Sequence, residues 1–399
     1  MNSKISDTNK KKLSPAKKLM IASALLIIAA LVQHLVLDLV GFQARQDMLM
    51  VDTEIGVSYG FDAHASFYSS GARHFFFAAR DGVQNISSTG DLRWQHGFTL
   101  SQPLMVGRGD KIAIGERDGH RIYVFGPDGY LYSINLPNPA MYFTVNPTGY
   151  LSVIMRTDTG YIVQVFNPAN PHDPSYGYRA PRNDANLFPM SVDVSECGTY
   201  IATAYFDVDT WIFAKITFGY LRRVDSRGMP DGLFRLYNYA DEFIYRVRFT
   251  GCGRVIALTD RRILGFESGR GSSGYIWDII LNNRPDPIYI GQNRLAFVTG
   301  EPFINHPDAE SPGILKIYDF NGQETGRYDL GRRATYLTVG HNTILAGMDR
   351  TFFAISPTGN RLWTHLAIQD IHDAVFLENT DTILLAGGTR ASIWRRIRV

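Results

Sequence analysis

STGDLRW, at residues 88–94, and PTGNRLW, at residues 357–363, place a glycine four residues ahead of a tryptophan in the same β-rich setting, and Gly274 to Trp277 repeats the pair loosely. Glycine at such a point takes a backbone conformation that other residues resist and turns the chain. The tryptophan four positions on then carries a large apolar surface that must be covered, and a neighbouring unit of the same kind is the natural cover.

Around these pairs, short β-rich runs punctuated by Gly, Asp, Asn and Pro fill the chain after residue 60: RHFFFAAR, KIAIGER, RIYVFG, YIVQVFNP, RVIALTD, RLAFVTG, ILKIYDF, NTILAGM and DTILLAGG. Apolar residues at i, i+3, i+4 and i+7 over a helical length are almost absent there, so the reading is all-β. The runs group into a four-part unit: an opening strand, an apolar strand rich in small residues, a strand ending near Phe or Tyr, and a closing strand after a glycine turn. Units open near Ala65, Pro103, Met141, Pro189, Phe243, Pro287, Thr335 and Ile371. Four short strands every 40–50 residues or so is the signature of propeller blades, whose sheets hide their faces only against each other. The expectation is a β-propeller of eight four-stranded blades, with seven as the alternative count. The last unit has three strands, and MLMVDTEIGV at residues 48–57 is β-competent, so it is expected to supply the fourth and remove an exposed edge.

The amino-terminal region is of another kind. Residues 1–18 carry six lysines against Asp7, giving the tail +5 and leaving −3 on residues 19–399 out of a whole-chain net of +2. A nucleic-acid partner is therefore not expected, because the folded part lacks the excess of Lys and Arg that phosphates require. Leu19 to Val40 reads LMIASALLIIAALVQHLVLDLV, enough apolar residues for a bilayer-spanning helix. With the lysines ahead of it, the expected topology is a cytoplasmic tail at 1–18, a transmembrane helix at 19–40 and an extracytoplasmic propeller at 41–399 in the cell membrane. A cleaved signal peptide is the rival; it would have a shorter apolar run and a better cleavage site than GFQA. His34 and Asp38, one helical turn apart, read as interfacial and solvated.

Two cysteines, Cys197 in SECGTYI and Cys252 in TGCGRVI, occupy equivalent turns of neighbouring units. Their number excludes a disulfide framework and a cysteine-built zinc site; one bridge and two idle thiols both stay open.

At the level of motifs, the glycine-to-tryptophan turns and the unit length resemble quinoprotein-like and WD-repeat propellers over residues 50–399. The anchor, LYSINLPNPAMYFTVNPTGYLSVI, PMSVDVSECGTYIATAY, RRILGF and the closing unit together resemble uncharacterised single-pass membrane-anchored propellers of Gram-positive bacteria. That resemblance implies fold and topology and brings no activity with it. The wider quinoprotein resemblance raises a pyrroloquinoline quinone dehydrogenase, whose members share calcium ligands, a catalytic aspartate and often a vicinal disulfide. This chain has no adjacent cysteines and no acidic cluster that matches.

Chemical motifs are few. Gly269-x-Gly271-x-x-Gly274 matches the dinucleotide fingerprint, but YIWDII follows and reads as a strand where the fingerprint needs a helix. Asp207 and Asp209 share a strand face without the remainder of a calcium loop. Asn85-Ile86-Ser87 is a formal glycosylation acceptor to which no role is given. No zinc helix, serine elbow or phosphate loop occurs, so no catalytic, cofactor or metal residue is assigned. Residues 167–188 and 301–313 read as inserts that break the unit, either a partner-binding rim or solvated connections. The expected role is non-catalytic: a membrane-tethered binding scaffold for an envelope protein or cell-wall component. An envelope enzyme acting on glycan, or a sensor coupled to a cytoplasmic partner, is the alternative.

Overall fold

The computed structural model describes residues 48–60, 64–179, 187–208, 213–221, 233–240, 242–267, 275–291, 293–304, 306–340, 342–377 and 382–398. The Leu19–Val40 segment, His34, Asp38, Asp209 and the glycines of 269–274 lie outside them. Among the described residues no helix is long and apolar enough to cross a membrane. The chain divides into a compact unit of Met50–Arg396 and another of Met1–Leu49 with Ile397–Val399.

Eight four-stranded sheets build the larger unit, each antiparallel meander a blade. The inner strands of blades 1 to 8 are Ser66–Tyr68, Leu104–Arg108, Ala140–Val145, Leu187–Val194, Ile244–Phe249, Asn283–Gly291, Tyr336–Val339 and Asp373–Leu377. All eight expected openings fall within four residues of an inner-strand start, and the count is eight. Blade 8 is completed from the other end of the chain: Met48–Ser58 lies outside Arg390–Arg398. Thr53 Oγ1 donates to the Ile393 carbonyl at 2.8 Å, and the Tyr59 amide donates to the Thr389 carbonyl at 2.9 Å.

The second strand of each blade shows why the sequence folds this way. In blade 1, Phe75, Phe76, Phe77 and Ala78 are all buried although their side chains alternate between faces. Phe75 and Phe77 pack with Val375, Leu384 and Ile393 of blade 8. Phe76 and Ala78 pack with Ile112, Ile114 and Phe125 of blade 2. One strand thus feeds two cores, and a continuous apolar run is the consequence. Eight such clusters occur, one at every blade boundary. Each buried Phe or Leu contributes about 1.5–3 kcal/mol, so the boundaries hold the ring together. The outer strands, such as Glu324–Asp329, alternate exposed and half-buried residues because only one side is covered.

The glycine–tryptophan pairs fasten these boundaries. Trp94, on the outer strand of blade 1, stacks on Phe125 with ring centroids 5.6 Å apart and donates Nε1–H to the Pro127 carbonyl of blade 2 at 2.8 Å. Trp277 of blade 5 makes the equivalent bond to Phe320 of blade 6 at 3.2 Å. The glycines serve a second purpose that spacing alone does not show: Gly90 and Gly359 receive Ile55 and Arg327 from the outer strand of the preceding blade. Gly322, which has no tryptophan after it but holds the corresponding turn of blade 6 at φ +79°, lies so close under Trp277 that an added Cβ would sit 2.6 Å from the indole Cδ2.

Of the two inserts, the first reading needs correction. Asn170–Arg179 is the outer strand of blade 3, paired to Gly160–Asn167 with register shifts around Phe166. Pro171 and Pro174 hide it, since proline is tolerated on an edge strand that has no further neighbour to bond. Residues 303, 304 and 306–313 do form a loop in blade 6, tied down where Asn283 Nδ2 donates to the Glu310 carbonyl at 2.9 Å and Asn283 Oδ1 accepts the Glu310 amide at 3.0 Å.

Candidate functional site

The inner strands of successive blades surround a central channel. They pack most closely between blades 4 and 5 and least closely between blades 5 and 6. The close boundary has a polar cause. Ser191 and Asp193 on the inner strand of blade 4 accept the amides of Val247 (3.1 Å) and Phe249 (2.7 Å), giving partners to an inner sheet edge that has none in its own blade. Asp193 also receives Arg108 Nη1 from blade 2 at 2.6 Å, and Arg108 Nη2 donates to the Phe249 carbonyl. A buried ion pair therefore spans the channel from blade 2 to blade 4 and touches blade 5.

Where blades 5 and 6 separate, the channel opens into a cavity of about 310 Å³ at the face formed by the turns after the inner strands. Tyr68, Arg108, Glu196, Arg248, Tyr289 and Asn293 are among its lining residues. Arg108 is neutralised by Asp193, and its other nitrogen lies 3.9 Å from Glu196. Tyr68 donates to the Gly109 carbonyl at 3.0 Å. Arg248 is different: among the described residues it has no hydrogen bond or ion pair, and neither does the hydroxyl of Tyr289. Burial draws the Arg248 guanidinium below the usual arginine range, helped by the nearby positive charges of Arg108 and Arg246 and opposed by Asp193. Burial likewise raises Tyr289 above the ordinary phenol value, so it stays a neutral donor at pH 7. The site offers unused donors, among them one guanidinium that no carboxylate among the described residues pairs with directly.

A second cavity of about 540 Å³ continues outward between the same blades and shares Thr250, Asn293 and Phe320 with the first. Cys252, Arg254, Asp319 and Asn321 line its outer part, where Arg254 Nη1 donates to Asn321 Oδ1 at 2.8 Å. Together the cavities make a groove running from the channel to the rim. Asn293 stands in the turn between them at φ +60°, a conformation asparagine tolerates better than most residues.

Toward the start of the inner strands lies another perturbed group. Asp373 is pushed up to about 6 by burial, against the hydrogen bonds it accepts from the Ala374 amide (2.8 Å) and the Tyr336 hydroxyl. A further cavity of about 420 Å³, between the outer edges of blades 8 and 1, contains His96 and Asp81. His96 stacks on Tyr130 at 5.1 Å, and no hydrogen bond joins it to Asp81.

The residues singled out from sequence fall elsewhere or are structural. Asp207 pairs with Lys215. YIWDII is the strand Tyr275–Ile280, which leaves the preceding glycines no helix to open. Asn85 is fully buried, so the folded chain does not present it as a glycosylation acceptor. Among the described residues no group of three His, Cys, Asp or Glu side chains is placed to hold a metal ion. Cys197 and Cys252 do occupy equivalent turns, of blades 4 and 5; both are free and exposed, with Cys197 Sγ 3.9 Å from the Cys252 carbonyl. Sequence reasoning misses Arg248, Arg108, Asp193 and Tyr289. The available signal is RVRF at residues 246–249, two arginines at alternate positions of an otherwise apolar inner strand.

Comparison with solved structures supports the architecture. The C-terminal WD40 domain of Sif2 is similar with a TM-score of 0.57 at 10% identity, over 86% of this chain and 98% of that one. BamB from Moraxella catarrhalis is similar with a TM-score of 0.50 at 11% identity, over 87% and 100%. At such identities the likeness is one of fold. No curated protein matches by sequence. A family signature does match, over residues 53–391, which takes in the ring from the closing strand of blade 8 to its partner, and the chain belongs to the family of unknown function DUF5711.

Proposed function

We propose that this protein is a membrane-tethered scaffold whose propeller faces away from the cytoplasm and binds a protein of the cell envelope without chemical turnover. The observation that carries the binding reading is the groove between blades 5 and 6, which ends on an unpaired arginine. Exposed apolar residues on the opposite face of blades 5–7, Ile280, Ile304, Leu366 and Ile368, supply a second surface that a partner would cover. The lysine-rich tail and the apolar stretch at 19–40 support the tether and its orientation. The Gram-positive origin rests on sequence resemblance.

Proximity labelling from a carboxyl-terminal tag in native cells, against a matched tethered control, tests the scaffold. A small reproducible set of envelope proteins is the expected result; no enrichment overturns it. Topology has an internal reporter, because the only two cysteines are exposed on the propeller. After mild reduction, a membrane-impermeant maleimide is expected to label intact cells as fully as lysed ones. Labelling only after lysis overturns the outward orientation.

A further inference from the structure

The unpaired guanidinium of Arg248 is the least explained feature of the channel. An arginine taken partly out of water needs an acceptor, and the carboxylates around it do not supply one: Asp193, whose charge acts on Arg248, holds Arg108 through Oδ2 and makes no hydrogen bond through Oδ1, and Glu196 sits at the rim beside Arg108. Arg246, two positions back on the strand, adds a second cation with no hydrogen bond or ion pair among the described residues. Arg248 and the Tyr289 hydroxyl border the same cavity of about 310 Å³, where neither finds an acceptor.

We propose that the channel mouth receives a single carboxylate side chain from an otherwise uncharged segment of a partner protein, with Arg248 as its ion-pair partner and Tyr289 as a second donor. This deepens the scaffold reading and rests on it. A planar fork of N–H groups fits a carboxylate through two parallel hydrogen bonds. The charge balance limits the ligand to one carboxylate: with Arg108 spent on Asp193, Arg248 stands against Glu196 at the edge of the mouth, and the outer cavity sets Glu267 and Asp319 against Arg254, so a phosphate dianion or a run of acidic residues would be repelled. A peptide is chosen over a free small acid because the cavity continues into the outer groove through Thr250, Asn293 and Phe320. A single carboxylate would leave that length of groove unfilled. An extended segment places one acidic side chain in the channel and runs outward between blades 5 and 6.

The test uses the full chain in detergent and a fluorescein-labelled, carboxyl-terminally amidated hexapeptide with one glutamate among five glutamines, read by anisotropy at low salt, with amidated hexaglutamine as the neutral control. The glutamate peptide is expected to bind and hexaglutamine not. Arg248→Gln is expected to weaken binding at least about tenfold, the range of a charge-assisted bond. Arg248→Lys should weaken it several-fold, because the ammonium cannot make the two-pronged contact. Arg333→Gln removes an exposed arginine that pairs with Asp286, away from the mouth, and should change nothing. Thermal melts of the variants confirm that they fold. The proposal is overturned if the wild type does not bind, if Arg248→Gln binds as the wild type does, or if Arg333→Gln loses as much. It is also overturned if inorganic phosphate displaces the peptide at a tenth of the acetate concentration needed. Proximity labelling with Arg248→Gln separates the two readings: an unchanged envelope partner set sinks the carboxylate site and leaves the scaffold, whereas an empty set in the wild type sinks the scaffold.

Discussion

Removing the Asp193 carboxylate should be among the most damaging single changes in the propeller. Asp193 is 2% exposed and accepts two bonds through Oδ2, from Arg108 at 2.6 Å and from the Phe249 amide at 2.7 Å. In Asp193→Ala the Phe249 amide loses its partner in a site closed to water, which costs about 1–3 kcal/mol. The Arg108 guanidinium, 7% exposed, keeps its bond to the Phe249 carbonyl but loses its counter-charge. Breaking a buried pair by removing one member costs about 3–5 kcal/mol in total, a figure that includes such orphaned donors. Asp193→Asn retains an acceptor for the amide and should lose less. Arg108→Met with Asp193→Leu removes both charges and should lie closer to the wild type than Asp193→Ala does. Urea unfolding of the full chain in detergent, followed by tryptophan fluorescence, gives the comparison. A loss below about 1 kcal/mol in Asp193→Ala, or a double variant no better than the single one, refutes the claim that this pair ties blades 2, 4 and 5 together.

Gly322→Ala should cost about 2–3 kcal/mol, part from a positive φ and part from displacing Trp277, whereas Gly331→Ala, also at positive φ but with nothing within 4 Å of an added Cβ, should cost only the backbone share of about 1–2 kcal/mol; equal losses in urea melts would remove the packing role. Because the folded-state value for Asp373, about 6, lies above the ordinary 3.8, its contribution to stability is fully present below about pH 4 and is lost as pH rises to about 6. Asp373→Asn should flatten that slope and leave the chain more stable at pH 7 by at most about 3 kcal/mol, and an unchanged pH profile would show the carboxyl to be ordinary. Burial works against the Cys197 thiolate, but hydrogen bonds from Cys252, Ser195 and Thr199 outweigh it and draw the thiol below its usual range. Diamide, itself reduced to the hydrazine, should therefore join Cys197 and Cys252 within one chain, as read by non-reducing peptide mapping; two free thiols or only linked dimers would show the turns unable to meet.

Repetition made the fold legible. The tryptophan spacing, the eight openings and the use of residues 48–57 to finish blade 8 all follow from one requirement, that every sheet be covered by another of its kind. The outer strand of blade 3 escaped because Pro171 and Pro174 carry the marks of a loop, and only the edge position of that strand makes them harmless. The channel mouth was illegible for a different reason. Tyr68, Arg108, Arg248 and Tyr289 come from four blades, so no spacing links them; they meet only once the ring is closed. The thiol pair lay between these cases: equivalent turns could be recognised, while their separation could not.

The repeat also explains where to look for function. Residues that recur from blade to blade, such as the glycine–tryptophan fasteners, are accounted for by boundaries they stabilise, so their chemistry is spent on the fold. A departure from the repeat has no such account, and consistency across levels fails first where a site is built. The inner strand of blade 5 is such a departure, with Arg246 and Arg248 on a strand whose other members, Ile244, Val247 and Phe249, serve the core. Asp193 answers Arg108 and the backbone of this strand through hydrogen bonds, and no side chain among the described residues bonds Arg248. A guanidinium left without a hydrogen bond where neighbouring inner strands pack least closely is best explained by something that arrives from outside the chain.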